Sequence, residues 1–425
     1  MTVSLWQDSA SWPGELPHET ITADIAIVGG GVVGTTLATL LVQAGKDVVV
    51  LESGTIGGGA SGRNGGHCFI GLRNDYHRAI ELLGHDAAKQ LRTQLTENRS
   101  MVRAFCDQFN VPYIADGSQY LGIDAEDRAD MQASARALQA DGFEVQYEEL
   151  GGPNGHGDER GFRSRLFQPG DMALQPYILV TRMMAASGAR VEENCEVRTI
   201  EQLANGGVRL QARRITVECG EAILATNAYS RILHPYFRDK VFPTRGQIFV
   251  TEPTAAERVL PIPTGSTEEG RYFYYRQLPD GRVLIGGNRK PFLAEEQTYG
   301  DEVNLPLQES MHGWLAQHYP ELADLRITHR WAGILGYSVD AMPLIGRLPD
   351  MPSVAFAVGF TGSGMSYGPL AARMTAEYLL EGRHPGPYHV DRLDNPRAQV
   401  GGSLSRRLAA AGYAPASAAT PRTSA

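Results

Sequence analysis

Short uninterrupted apolar runs, long polar stretches of helical period and a later set of β-formers divide this chain into parts. Ile25-Ala26-Ile27-Val28 is the first apolar run and ends on Gly29; Val48-Val49-Val50-Leu51 is the second and ends on Glu52. Brief runs rich in β-branched residues, closed by a turn or a charge, read as strands covered on both faces. Thr35 to Ala44 has apolar residues at helical spacing, so the opening reads strand, helix, strand.

Tyr76 to Phe109 is polar and helical in period, with no glycine between Asp86 and Phe109. A strand pair is expected around Pro112–Ile114 and Gln119–Ile123, then an exposed helix over Glu126 to Ala140. The Gly-, Asn- and Asp-rich stretch Gly151 to Gly161 reads as a loop. A helix over Tyr177 to Ser187 follows, then short strands at Arg190–Glu193 and Cys195–Ile200, a hairpin over Val208 to Val217, and the apolar run Glu221–Ala228. Val241 to Glu252, Arg271 to Gln277 and Arg282 to Gly287 are rich in β-formers, with Pro279-Asp280-Gly281 as a turn, and fit an antiparallel sheet. Leu305 to His318 reads as one amphipathic helix, and Val354–Val358 as a strand entering a helix over Tyr367 to Leu380. Beyond Ala398 the chain is Ala/Ser-rich with no apolar period, which predicts a poorly ordered tail over 398–425.

The first turn carries chemistry. Gly29, Gly31 and Gly34 form Gly-x-Gly-x-x-Gly between strand and helix, with Val33 inside the motif. Gly29 permits the tight turn, Gly31 lets a pyrophosphate approach the backbone, and Gly34 lets helix and strand pack closely. The helix N-terminus faces the pyrophosphate, and Glu52, followed by Ser53, is placed for the hydroxyls of an adenosine ribose. The next residues form a long glycine loop that includes Ala60, Ser61, Arg63, Asn64, Gly65, Gly66 and His67. Such a loop exposes many N–H donors and can wrap a flat, partly anionic ligand; the alternative is a flexible surface linker.

At Ile56-Gly57 and Ala60-Ser61-Gly62-Arg63-Asn64-Gly65-Gly66 the chain resembles the amine and D-amino-acid oxidase (DAO) family of FAD enzymes, most of all its γ-glutamylputrescine oxidase branch. The resemblance runs from about residue 24 to 390. It implies an α/β fold: a Rossmann-type FAD-binding domain like that of glutathione reductase, with an inserted substrate domain of antiparallel sheet and helices. The FAD-binding part would take 20–90, 165–230 and 328–395, and the substrate part 91–164 and 231–327. It also implies that Val197 touches the adenine through its backbone, although a plain core valine is an equal reading. Ala225 would lie in the turn under the dinucleotide, and Gly333 in a Trp-x-Gly element. Gly362, Ser363, Gly364 and Met365 would meet the pyrimidine edge of the flavin, where a helix N-terminus stabilises negative charge. Ser363 stands where the family often has histidine.

In this family a hydride leaves the carbon beside nitrogen for the flavin, and water hydrolyses the imine. The family's amino-acid oxidases carry an arginine for the substrate carboxylate where Leu335 stands here. A leucine cannot hold a desolvated carboxylate, which points to a small-molecule amine of the γ-glutamylputrescine type, with oxygen or another acceptor taking the electrons. Tyr274, Tyr275 and Arg276 lie on the expected substrate sheet. They read either as a hydroxyl and guanidinium for a distal anion, or as sheet packing with a solvated arginine. With Arg276 as a carboxylate clamp, a D-amino, cyclic or N-methyl amino acid becomes the alternative substrate; a non-catalytic FAD-binding scaffold is the reading from another class. The covalent-flavin cysteine of sarcosine-oxidase relatives is missing between Arg330 and Gly346, and Arg63 replaces the histidine of others. His67 and Cys68 come too late in the loop, so a non-covalent FAD is expected.

Composition narrows the rest. A net charge of −9 argues against a nucleic-acid partner. No apolar run approaches membrane-spanning length, and the first residues lack a signal-peptide pattern. Four cysteines without a C-x-x-C pair read as reduced thiols in a cytoplasmic protein. Eleven scattered histidines give no pair at ligand spacing, so no metal is expected.

Overall fold

The computed structural model describes residues 20–70, 76–151, 157–212, 215–254, 260, 264–267 and 273–394; the expected tail lies outside them. Strand β1 (Ile21–Val28), helix α1 (Val32–Gln43) and strand β2 (Val48–Leu51) form the opening unit. β1 pairs in parallel with β2 on one side and with Thr216–Leu224 on the other. That order makes β1 the centre of an eight-stranded sheet, which explains its unbroken apolar run. Val354–Val358 extends the sheet in parallel, and Leu344–Arg347 closes that edge antiparallel. On one face Ile25 and Ile27 pack with Leu37, Val180 and Ala372 from three helices; on the other, Val28 and Leu51 meet Val217, Phe237 and Phe356.

A second eight-stranded sheet stands against the first layer. Ile327–Ser338 pairs along the length of Val241–Thr251, followed by Val283–Gly287, Phe273–Gln277, Thr264–Thr267, Ser118–Gly122, Ser164–Gln168 and Gln146–Glu149. All these pairs are antiparallel except Thr264–Thr267 with Ser118–Gly122. Helix Leu305–His318 backs this sheet, setting Leu307, Met311 and Trp314 against Phe249, Phe273 and Ile285. Its start is set by Asn304, whose side chain accepts from Leu307 N at 3.2 Å.

Four expectations change. Tyr113–Ile114 and Ser118–Gly122 do not pair with each other; the first joins Met172–Leu174 in a small sheet with His67–Cys68, the second joins Ser164–Gln168. Gly117, at φ +82°, turns the chain between them. The long helical stretch is two helices, Tyr76–Leu83 and His85–Gln108, broken at Gly84 with φ +82°. Leu91, Leu95 and Val102 pack with the first layer, and Ile327–Ser338 belongs to the second sheet, so the layers trade places later than residues 90 and 328. The last long helix starts at Gly364 rather than Tyr367 and contains Pro369. Proline cannot donate to Met365 O; Asn98 Nδ2 does so instead at 2.9 Å, while its Oδ1 accepts from Leu370 N at 3.0 Å. Asn98 thereby patches a helix that Pro369 interrupts.

Candidate functional site

A cavity of about 810 Å³ lies between the two sheets. Gly29, Gly31, Val33, Glu52 and Ser53 line one end. Gly29 has φ +110°, and a Cβ there would sit 2.7 Å from Ala225 O. Gly34 is not on the wall; a Cβ at that position would sit 1.9 Å from Gly29 O, so it serves close packing of helix on turn. Glu52 accepts from Gly30 N at 2.8 Å through Oε2 and from Gly54 N at 2.9 Å through Oε1. The carboxylate thus shapes the turn, with lone pairs left for hydroxyl donors.

The glycine loop forms the adjoining wall with Ala60, Ser61, Arg63, Asn64, Gly65 and His67. It is an ordered structure. Asn64 Nδ2 donates to Ala60 O and Ser61 O, its Oδ1 accepts from Gly66 N at 2.7 Å, and Ser61 Oγ accepts from Val32 N at 2.9 Å. Arg63 is buried and its Nε donates to Ala332 O at 2.6 Å. His67 Nε2 sits 3.2 Å from Tyr275 O. Burial, with the Arg276 cation second, pulls its pKa down to about 3, so the ring is neutral and Nε2 carries the donated proton.

Tyr274, Gly333 and Leu335 line the second-sheet side, and Val197 and Ala225 line the same cavity. Gly362, Ser363, Gly364 and Met365 supply the start of the eighteen-residue helix Gly364–Glu381. Gly66 and Arg276 fall behind the wall. Arg276 Nη1 donates to Leu174 O at 2.7 Å and Gly65 O at 3.2 Å, and burial lowers its pKa to about 10. It is neither a solvated arginine nor a group facing the cavity, because its strand points it at the back of the glycine loop. Tyr275 is buried as well, its hydroxyl accepting from Gln119 Nε2 at 2.8 Å. Cys68 is buried off the wall with its thiol toward Met365 O.

Several wall residues carried no sequence signal. Asn227, at φ +46°, accepts from Gly359 N at 3.0 Å and holds the strand end that leads to Gly362. Phe69, Tyr120, Asp301 and Arg289 also line the cavity. In the sequence Asn227 lies in the run Glu221–Ala228, and Arg289 falls between the strand ending at Gly287 and the helix from Leu305, with no motif around it. Outside the cavity, His384, His389 and Asp391 bring three potential ligand atoms within 4.8 Å of one another, a grouping that the sequence spacing did not suggest.

A family model described as FAD dependent oxidoreductase, DAO, matches residues 24–378. The chain belongs to the DAO family. Its relatives include the γ-glutamylputrescine oxidoreductase of Escherichia coli K12, 27% identical over 381 residues and covering 86% of each chain. The "Probable oxidoreductase OrdL" of Rhizobium meliloti is also 27% identical, covering 84% of this chain and 83% of the relative. In fold it matches the L-proline dehydrogenase of P. horikoshii with a TM-score of 0.74, at 19% identity and covering 89% of this chain and 99% of that one.

DAO enzymes are FAD-dependent, and the walls fit that cofactor. Gly59 and Gly364 both line the cavity, and a Cβ on either would meet nothing within 4 Å. Side chains at those points would therefore project into the space a ligand needs. Glu52 would hold the ribose, the N-terminus of α1 the pyrophosphate, and the Gly364 helix end the electron-rich edge of the ring. Among the described residues no helix is long and apolar enough to cross a membrane.

Proposed function

We propose that this DAO-family oxidoreductase oxidises the C–N bond of a small amine, the first layer serving as the flavin part and the second sheet as the substrate part. The observation that carries the reading is the continuity of one cavity from Glu52 to Leu335, past the Gly364 helix end. Bound FAD supplies the two-electron acceptor. The chain's residues supply position and partial shielding from water: Ile248, Ile334, Leu335 and Phe360 contribute apolar surface to the far wall beside Tyr274 and Arg289. The carbon beside nitrogen gives up a hydride, and the resulting iminium takes water to yield a carbonyl compound and ammonia or an amine. Oxygen or another acceptor then takes the electrons.

Similarity to γ-glutamylputrescine oxidoreductase and the leucine at 335 support an amine over a free α-amino acid. Arg276, the residue on which the amino-acid alternative rested, donates to Leu174 O and Gly65 O behind the wall instead. Product analysis tests the reading. The FAD-loaded protein should release one carbonyl product per flavin reduced when given amines; products only from α-amino acids would replace it with the amino-acid reading, and none from either would leave the FAD-binding scaffold.

A further inference from the structure

The helix Gly364–Glu381 ends at Gly382, φ +67°, and the chain turns back along the first layer as His384-Pro385-Gly386-Pro387-Tyr388-His389-Val390-Asp391. Prolines on both sides of Gly386 fix φ there, so the loop between the two histidines has few conformations to lose. Its far end is held from three directions. His389 bridges to Ile345 at the sheet edge, buried Tyr388 meets Tyr367 edge-on at 6.2 Å, and Arg392 pairs with Asp340 at 2.7 Å.

This backbone gathers three ligand-type side chains. His389 Nδ1 lies 2.7 Å from Asp391 Oδ1, His384 Nε2 lies 3.6 Å from Asp391 Oδ2, and the two imidazole centroids are 4.4 Å apart. Ligand atoms on one tetrahedral ion stand about 3.3 Å from one another, so the set is close to that spacing before any ion enters. On the other side of the His389 ring, Nε2 faces Tyr378 Oη at 3.4 Å, an oxygen that can take the Nε2 proton when Nδ1 binds an ion. The neighbouring cations are engaged elsewhere: Arg383 pairs with Glu377 and Glu381, and Arg392 with Asp340. His384 Nδ1 accepts from Gly386 N at 3.1 Å, and an ion on Nε2 would move the ring's proton to Nδ1. The ring must then turn away from Gly386, and its exposed position leaves room for that turn.

We propose that His384, His389 and Asp391 bind one divalent transition-metal ion, of the zinc or nickel kind. Two imidazoles and a carboxylate suit such ions, whereas magnesium and calcium favour oxygen ligands throughout. Water completes the coordination. The ion clips the residue just past the last long helix to the segment that packs on that helix. None of the three residues lines the cavity, so the site is structural and stands apart from the C–N oxidation reading.

The test uses the FAD-loaded full chain without an affinity tag, stripped with a chelator and titrated calorimetrically with zinc sulfate at about pH 7.5, where imidazole is neutral. Metal content is then measured after gel filtration. One zinc per chain should bind, with half-saturation on the order of micromolar. His384→Ala and Asp391→Asn, both at exposed positions, should each weaken binding by about tenfold or more while leaving the flavin spectrum and the rate of flavin reduction unchanged. No zinc bound by the parent protein, or one zinc bound equally well by His384→Ala and Asp391→Asn, overturns the site.

Discussion

Trp331 Nε1 donates to the carbonyl of Arg63 at 2.8 Å, and Arg63 Nε returns a donor to the neighbouring Ala332 carbonyl at 2.6 Å. This reciprocal pair joins the glycine loop of the first layer to the long strand of the second sheet. Both side chains are buried, so the bonds act where water does not compete. The width of the cavity at this point follows from the pair, because each wall is held by the other's backbone.

Trp331→Phe keeps an aromatic ring but leaves the Arg63 carbonyl without this donor. The expected cost is about 2 kcal/mol of stability, together with faster loss of FAD. Thermal unfolding and flavin retention through gel filtration check it. A variant that melts and holds FAD like the parent would show that the two layers are tied elsewhere.

Arg276 should behave on substitution as an anchor of the cavity wall. Arg276→Met removes the donor to Leu174 O and Gly65 O behind the loop. We expect destabilisation of about 3 kcal/mol and weakened FAD binding. Any enzyme that remains flavin-loaded should keep the parent's half-saturating substrate concentration. Equilibrium FAD titration and flavin reduction kinetics measured side by side distinguish an anchor from a clamp.

What could be read from sequence was local. The turn Gly29–Gly34, the strand end at Glu52, the helix Leu305–His318 and the Gly362–Met365 junction each depend on neighbours within a few positions, and each was visible. What could not be read depends on partners far along the chain. Asn98 repairs the helix at Pro369 from 267 positions away from its Met365 contact. The inward aim of Arg289 needs two successive positive φ angles and the pairing of Ile248 with Gly286, which sets the strand before it beside Gly246. Arg276 was placed on the right sheet, but its side-chain direction depends on where the glycine loop docks. The strands at 113 and 118 are legible as strands, but their pairing is not, because Gly117 between them redirects the chain.

His67 makes stability pH-dependent in a defined direction. Its pKa falls from 6.5 to about 3 on folding, because burial and then Arg276 disfavour the charged ring. Between those values the unfolded chain binds a proton that the folded chain refuses. Stability is therefore lost as pH drops through that window, by at most about 1.4 kcal/mol per pH unit from this group. His67→Gln should flatten the decline in melting temperature between neutral pH and about pH 5. An unchanged slope would assign the acid sensitivity to other groups.

C–N oxidation on bound FAD is tested most directly by an anaerobic titration of the purified protein with amines and amino acids, followed by its visible spectrum. The protein should carry FAD, and a C–N substrate should bleach the flavin bands to the two-electron reduced form, with a carbonyl product formed in equal amount. A protein that purifies without flavin and cannot be loaded with it, or a loaded flavin that no amine or amino acid bleaches, would contradict it.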